Sequence, residues 1–239
     1  MRMRKKKNSD TRLSLCKDFL YKHEGEPMRA PAGVMNMGEC EVFLEIGAGK
    51  GRFAVMMAER HPEAAYFAME RVTDCVVIGA ERARSGEYGE PKNLRFVIDT
   101  ADNLMRIFEP RSIDRIFLNF SDPWSKKGYA KRRLMHRRYL AVYMRLLSDG
   151  GEIQFKTDND ALFDFSLEEI SAMGLVPEVV TRDLHASEWN EGNIMTEYEE
   201  NFSSQGVKIN MLRLKKPAGF MPEIEDSFTE KRLIRGNDG

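Results

Sequence analysis

The chain has little with which to cross-link itself. Its three cysteines (Cys16, Cys40, Cys75) lie far apart and form no C-x-x-C pair, which speaks against a disulfide framework and a cysteine-based zinc site. Its four histidines (His23, His61, His136, His185) show no ligand spacing, so no metal is expected. Long hydrophobic runs are missing too. Cys75-Val76-Val77-Ile78 falls far short of the roughly 20 apolar residues that a membrane helix needs. The N-terminus is basic, but no apolar core follows it, so no secretory signal is read there. Nor does one sign of charge dominate: 37 Lys and Arg stand against 38 Asp and Glu, a net charge of −1. Taken alone, that balance argues against a nucleic-acid partner, although the placement of charges matters more than their sum. The expectation is a soluble cytoplasmic protein.

With 42% hydrophobic residues over 239 positions, the chain suits one large domain with a substantial core. Residues 1–9 carry Arg2, Arg4, Lys5, Lys6 and Lys7 with no apolar partner and read as a flexible basic arm. A single domain is expected over 10–216, followed by a tail over 217–239. Within the domain an amphipathic segment over 11–21 leads to a Gly- and Pro-rich connector over 22–40. Strand signals at 41–46, 64–70, 94–99, 113–120 and 152–156 then alternate with helix signals at 51–60, 72–84, 101–108, 131–147 and 161–173. Asp149-Gly150-Gly151 reads as the C-cap turn of the long fourth helix. Two further strands, 176–180 and 207–214, are separated only by a polar loop. The expected fold is α/β: a doubly wound, mostly parallel seven-stranded sheet of Rossmann-like kind, closed by a C-terminal antiparallel hairpin. Such sheets bind ligands at the carboxyl ends of their strands, near the switch point.

The residues at those ends are distinctive. After the first strand comes Glu45-Ile46-Gly47-Ala48-Gly49-Lys50-Gly51, a G-x-G-x-G run and not the G-x-G-x-x-G that seats a dinucleotide pyrophosphate. Glycines here let the backbone turn sharply and approach a ligand. The acid ahead of them, Glu45, suits a ligand bearing a cationic amine. Glu70 ends the second strand, where a carboxylate can accept both hydroxyls of a ribose. Asp99 ends the third and is placed either to meet an adenine amino group or to help cap the next helix.

This combination resembles the class I S-adenosylmethionine-dependent methyltransferases. The shared features are E-x-G-x-G-x-G after the first strand, an acid after the second, and a Gly-Gly turn before the fifth. The resemblance covers residues 41–180 and implies S-adenosylmethionine as cofactor.

The fourth strand ends in Asn119-Phe120-Ser121-Asp122-Pro123-Trp124-Ser125-Lys126-Lys127. Asp122 would lie beside the methyl donor, and Pro123 stiffens its loop. Trp124 is either a base-stacking platform or a buried anchor for that loop. From Lys126 to Arg138 the chain then holds Lys126, Lys127, Lys131, Arg132, Arg133, Arg137 and Arg138 and no acid, a surface suited to tracking phosphates. On a helix, Arg133 and Arg137 would share a face, one turn apart.

S-D-P-W-x-K-K-x-x-x-K-R-R, the Thr157-Asp158 pair and Thr196-Glu197-Tyr198-Glu199 together resemble the bacterial tRNA (guanine-N7-)-methyltransferase family, over about residues 12–214. The resemblance implies methyl transfer to the guanine at position 46, in the tRNA variable loop. It makes Asp122 the catalytic residue and gives Glu45, Gly47, Gly49, Glu70, Asp99, Asn119 and Asp122 to the cofactor. Lys126, Asp158, Thr196, Glu197, Tyr198 and Glu199 go to the substrate, and Lys127, Lys131, Arg132, Arg133 and Arg137 to RNA. The expected assembly is a monomer or homodimer. The chain departs from the family pattern at Ser125, Gly128 and Tyr129, in the RNA-facing loop. Two other readings stay open: an amino-directed methyltransferase, because Asp122-Pro123-Trp124 resembles a D-P-P-Y loop, and a non-catalytic RNA-binding protein that keeps the fold.

Overall fold

Short apolar runs without alternation form strands that are covered on both faces. Val42–Ile46 and Ala65–Met69 are of this kind, and every residue in both is buried. The computed structural model describes residues 8–229. The strands are β1 (Leu20–Tyr21), β2 (Val42–Ile46), β3 (Ala65–Met69), β4 (Leu94–Val97), β5 (Ile113–Asn119), β6 (Leu147–Thr157), β7 (Val179–Thr181) and β8 (Asn210–Lys215). The helices are α1 (Ser9–Ser14), α2 (Arg52–Arg60), α3 (Thr73–Ser85), α4 (Leu104–Ile107), α5 (Arg137–Leu146), α6 (Asp160–Ala172) and α7 (Glu197–Ser203).

The strands form one sheet in the order β1-β4-β3-β2-β5-β6-β8-β7. Strands β1 to β6 pair in parallel, and β8 runs antiparallel to both β6 and β7. The doubly wound class is therefore as expected, with β1 added as an eighth strand on the β4 edge. Alternate residues of each strand feed two cores. Leu44, Ile46, Phe67, Ile116 and Phe155 pack with α5 and α6, whereas Phe43, Tyr66, Ala68 and Phe117 pack with α2 and α3. Chain order reverses between β2 and β5, so the switch point lies at their carboxyl ends.

Three local expectations are corrected. The helix expected over 131–147 begins only at Arg137; a 3-10 turn over Lys127–Arg132 precedes it, and extended backbone at Arg133 and His136 separates the two. His136 caps α5, its Nδ1 accepting from the Arg138 amide at 3.2 Å. Asp149-Gly150-Gly151 is no C-cap turn but a bulge early in β6, where the register against β5 shifts. Gly150 has φ 81°, and a Cβ on Gly151 would meet the Asp114 carbonyl at 2.9 Å. Finally, the segment before β8 is not merely a polar loop, because it contains α7. Thr196 starts that helix by accepting the Glu199 amide at 3.0 Å, and Glu197, Glu199 and Glu200 suit its positive N-terminal end.

Most of the expected basic arm, residues 1–7, lies outside the described residues, as do residues 230–239 of the tail. Ser9 already belongs to α1, which Arg12 ties to Glu81 of α3 at 2.6 and 2.5 Å. Beyond Pro217 the chain returns over α5: Arg145 donates to the Pro222 carbonyl, and Phe228 is buried against Tyr139. Among the described residues no helix is long and apolar enough to cross a membrane.

Candidate active site

Gly47, Gly49 and Gly51 all have positive φ (84°, 55° and 75°), a conformation that strains other residues. The Gly47 and Ala48 amides hold the turn by donating to the Met69 carbonyl at 2.8 and 3.0 Å. Side chains at 47 or 49 would meet nothing within 4 Å, so these two glycines border open space. Gly51 is different: a Cβ there would sit 2.8 Å from the Phe96 ring and 2.9 Å from the Gly79 Cα, so it serves packing on α3.

Below the loop, Glu45 points into the aromatic core of Phe43, Tyr66 and Phe117 and is only 2% exposed. Asn119 Nδ2 donates to its Oε1 at 3.0 Å. Burial pushes the Glu45 carboxyl up to about 7; the Asn119 amide and the Lys156 charge pull the other way. Glu45 Oε2 and Asn119 Oδ1 are buried and close no well-formed hydrogen bond among the described residues, although the Tyr66 hydroxyl lies close enough to Glu45 to act on its carboxyl.

Glu70 spans the rim. Its Oε2 accepts from the Gly49 amide at 3.0 Å and its Oε1 from the Val72 amide at 2.9 Å, tying the glycine loop to the start of α3. Asp99 Oδ1 accepts from the Thr100 amide and from Asn103 Nδ2, both at 2.7 Å, so one of its oxygens shapes the turn after β4. Beside these acids stand Val72 and Ile98, apolar yet 36% and 39% exposed, at the ends of neighbouring strands.

The β5 loop carries Asp122. Phe120 (φ 53°) and Trp124 (φ 41°) flank it in left-handed conformations, which cost non-glycine residues of order 1–3 kcal/mol each. The Asp122 side chain is 68% exposed and lies 3.6 Å from Arg71. Sequence reasoning passed over Arg71, although a cation directly after Glu70 could have marked it. Trp124 is half-buried, edge-on to Tyr129, with the Arg132 guanidinium over both rings at 5.1 and 4.8 Å.

Across from this loop, Tyr198 of α7 stacks on Phe202 (4.2 Å between centroids), meets Phe120 at 5.0 Å and donates to Asp158 Oδ2 at 3.1 Å. Asp158, Tyr198 and the Asp122 loop are thus brought together. Glu197 instead turns to Arg82 at 2.5 Å, which holds its carboxyl below the usual range. Glu199 is fully buried on Lys156, a residue that sequence reasoning did not select. The basic run divides. Lys126, Lys127 and Lys131 are exposed, and none makes an ion pair among the described residues. Arg133 lies over the Phe165 ring and donates to the Trp124 carbonyl, while Arg137 grips Glu169 through two bonds of 2.9 Å. No shared helix face joins them, because Arg133 precedes α5.

Residues 39–212 match the family described as "Putative methyltransferase". The tRNA (guanine-N(7)-)-methyltransferase of Clostridioides difficile is 36% identical over 216 residues, 90% of this chain and 99% of the relative. That of Lachnoclostridium phytofermentans is 46% identical over 171 residues, 72% of this chain and 78% of the relative. The chain belongs to the bacterial tRNA (guanine-N7-)-methyltransferase family. Among solved structures, the 16S rRNA methyltransferase KamB superposes with a TM-score of 0.59 at 12% identity, covering 81% of this chain and all of that one, a likeness of fold.

S-adenosylmethionine is the cofactor of this family, and the residues present fit it. An ammonium offers three N–H donors, and Glu45 Oε2 with Asn119 Oδ1 supplies buried acceptors that close no well-formed hydrogen bond among the described residues. The open side of Gly47 and Gly49 admits the chain of the ligand. Val72 and Ile98 offer apolar walls for a flat base, with Glu70 and Asp99 at its polar edge.

Proposed function

We propose that this protein transfers a methyl group from S-adenosylmethionine to N7 of guanine in transfer RNA, at position 46 of the variable loop, as a cytoplasmic enzyme. The observation that carries this reading is the position of Asp122: exposed, on a strained loop, between the glycine loop and the Asp158–Tyr198 pair. The likeness to the tRNA (guanine-N(7)-)-methyltransferase of C. difficile supports the substrate class.

The cofactor supplies an electrophilic methyl on a sulfonium centre. Guanine N7 carries a lone pair and no proton, so the protein need not remove one. Its task is to hold the base in line and to stabilise the charge that develops on it. In this reading Glu45, Asn119, Glu70 and Asp99 hold the cofactor against Gly47 and Gly49. Asp122, steadied by Arg71, offers its carboxylate to the increasingly positive base. Asp158 accepts from guanine N1–H and the 2-amino group, donors that adenine does not present there, while Glu197, paired with Arg82 of α3, holds α7 in place beside it. Thr196 and Tyr198 shape the same wall. Lys126, Lys127 and Lys131, with Arg132 beside them, meet RNA phosphates.

The site of methylation tests this. An unmodified tRNA transcript is incubated with the enzyme and S-adenosylmethionine, then cleaved chemically at 7-methylguanosine. Scission at guanine 46 is expected; scission only at another guanine would overturn the position.

A further inference from the structure

Lys156 is a buried charge that the proposed reaction leaves unused. It is the last lysine of β6, two residues before Asp158, and it is fully buried. Its Nζ lies 2.6 Å from Glu199 Oε2, 3.0 Å from the Ile194 carbonyl and 3.1 Å from Asn193 Oδ1. Three acceptors thus match the three N–H bonds of the ammonium. Its fourth neighbour is the Phe53 ring of α2, at 5.2 Å. Glu199 is equally saturated, because its Oε1 meets His185 Nε2 at 3.0 Å and Asn193 Nδ2 at 2.8 Å. Burial alone would raise the Glu199 carboxyl, but Lys156 and these donors hold it below the usual range, while burial draws the Lys156 ammonium below its own.

A buried ion pair is a poor way to stabilise a fold, since desolvating two charges offsets much of their attraction and an apolar pair often does as well. What this pair does well is fix a geometry. The seven-residue α7 is too short to hold its own shape and place without tertiary contacts. It is joined to the end of β6 and the residue after it by two rungs, two positions apart on that side and adjacent on α7. Lys156–Glu199 forms the inner rung and Asp158–Tyr198 the outer one. Glu199 has no oxygen left for a base, whereas Tyr198 is 43% exposed beside Phe120 and the Asp122 loop.

We propose that Lys156 is a positioning residue for the substrate base: the inner rung sets where Tyr198 and Asp158 stand, and so the width of the slot that admits guanine. The proposal rests on the functional reading above and assigns Glu199 to the support of the slot, not to its wall.

The test compares Lys156→Met with the double variant Lys156→Met/Glu199→Met. Assays are run at saturating S-adenosylmethionine, so that the influence of Lys156 on Glu45 does not enter. The single variant strands Glu199 and is expected to lose both Tm and activity. The double variant removes both charges and is expected to recover Tm, while its kcat/KM for tRNA stays at least about tenfold below wild type. A double variant with wild-type kcat/KM would make the pair merely structural and overturn the proposal. If it fails to fold, Glu199→Gln carries the comparison, with at least a threefold loss of kcat/KM expected and no loss contradicting the idea. Should the wild-type protein not methylate tRNA at all, the functional reading falls, but the rung is still testable. Amide hydrogen exchange in α7 of the free protein should quicken in these variants while β2 to β5 stay protected, and unchanged exchange would remove Lys156 from the role.

Discussion

Glu45 is where one residue most directly couples stability to ligand binding. Its carboxyl titrates near 7 in the fold, against an ordinary value of 4.5. The folded state therefore holds this proton more tightly than the unfolded state does. The contribution of Glu45 to stability is greatest below pH 4.5 and declines as pH rises toward 7, by about 3 kcal/mol in all. Thermal unfolding of Glu45→Gln should lack that decline, and parallel curves for the two proteins across this window would contradict it. The ionised form is the one that attracts an ammonium. Affinity for S-adenosylmethionine should accordingly rise from pH 6 to pH 8 in the wild type and stay flatter in Glu45→Gln, as read by calorimetry. Glu70→Ala should weaken the same ligand by about 1–3 kcal/mol, the scale of lost hydrogen bonds to a charged acceptor. Unchanged affinity would remove Glu70 from the site. Glu45, Glu70 and Asp122 could be selected as candidates from sequence because they follow parallel strands, where sheets of this class bind ligands. Lys156 could not. A lysine inside a strand reads as a solvated edge residue until its partner, 43 positions later, is known to pack over it.

Among the elements, the basic run shows how far periodicity can mislead. Five of the seven cations, Lys131 to Arg138, fall on one expected helix with Arg133 and Arg137 sharing a face, yet only the last two stand on α5. Extended backbone at Arg133 and His136 interrupts the helical pattern, and the long Arg side chains find Glu169, Asp102 and aromatic rings instead. Among the described residues the cations of this run without acidic partners are Lys126, Lys127, Lys131, Arg132 and Arg133, and of these only the three lysines are also free of an aromatic ring. Replacing Lys127 and Lys131 by Ala should weaken tRNA binding and reduce the slope of log K against log salt, by up to roughly 0.9 per lost duplex phosphate contact. An unchanged slope would place the RNA elsewhere. Arg137→Ala should behave differently. It strands Glu169, whose side chain is 8% exposed, and should cost about 1–3 kcal/mol of stability by denaturant titration. Little change in the salt slope is expected there. The helix α7 was also missed in the sequence, although Thr196-x-x-Glu199 has the form of a capping box. Here the Glu199 side chain turns inward to Lys156, and in isolation a short, mostly polar stretch reads as a loop.

At the scale of the whole molecule, the winding of the sheet was legible because apolar runs, Gly turns and strand–helix alternation agree with one another. The eighth strand was not, since two residues carry no periodicity and β1 exists only through its pairing with Phe96 and Val97. A net charge of −1 likewise gives no hint that exposed lysines lie on the loop next to Asp122, while acids gather around the glycine loop. In the proposed reaction that arrangement brings a cationic methyl donor and a guanine of an anionic RNA together at the carboxyl ends of β2 to β6. The most direct test is to incubate the protein with unmodified tRNA and methyl-labelled S-adenosylmethionine, digest the RNA and identify the labelled nucleoside. The account predicts label in 7-methylguanosine, and its loss with Asp122→Ala while tRNA still binds. Label in N6-methyladenosine or another amino-methylated nucleoside, or no transfer to RNA at all, would contradict it.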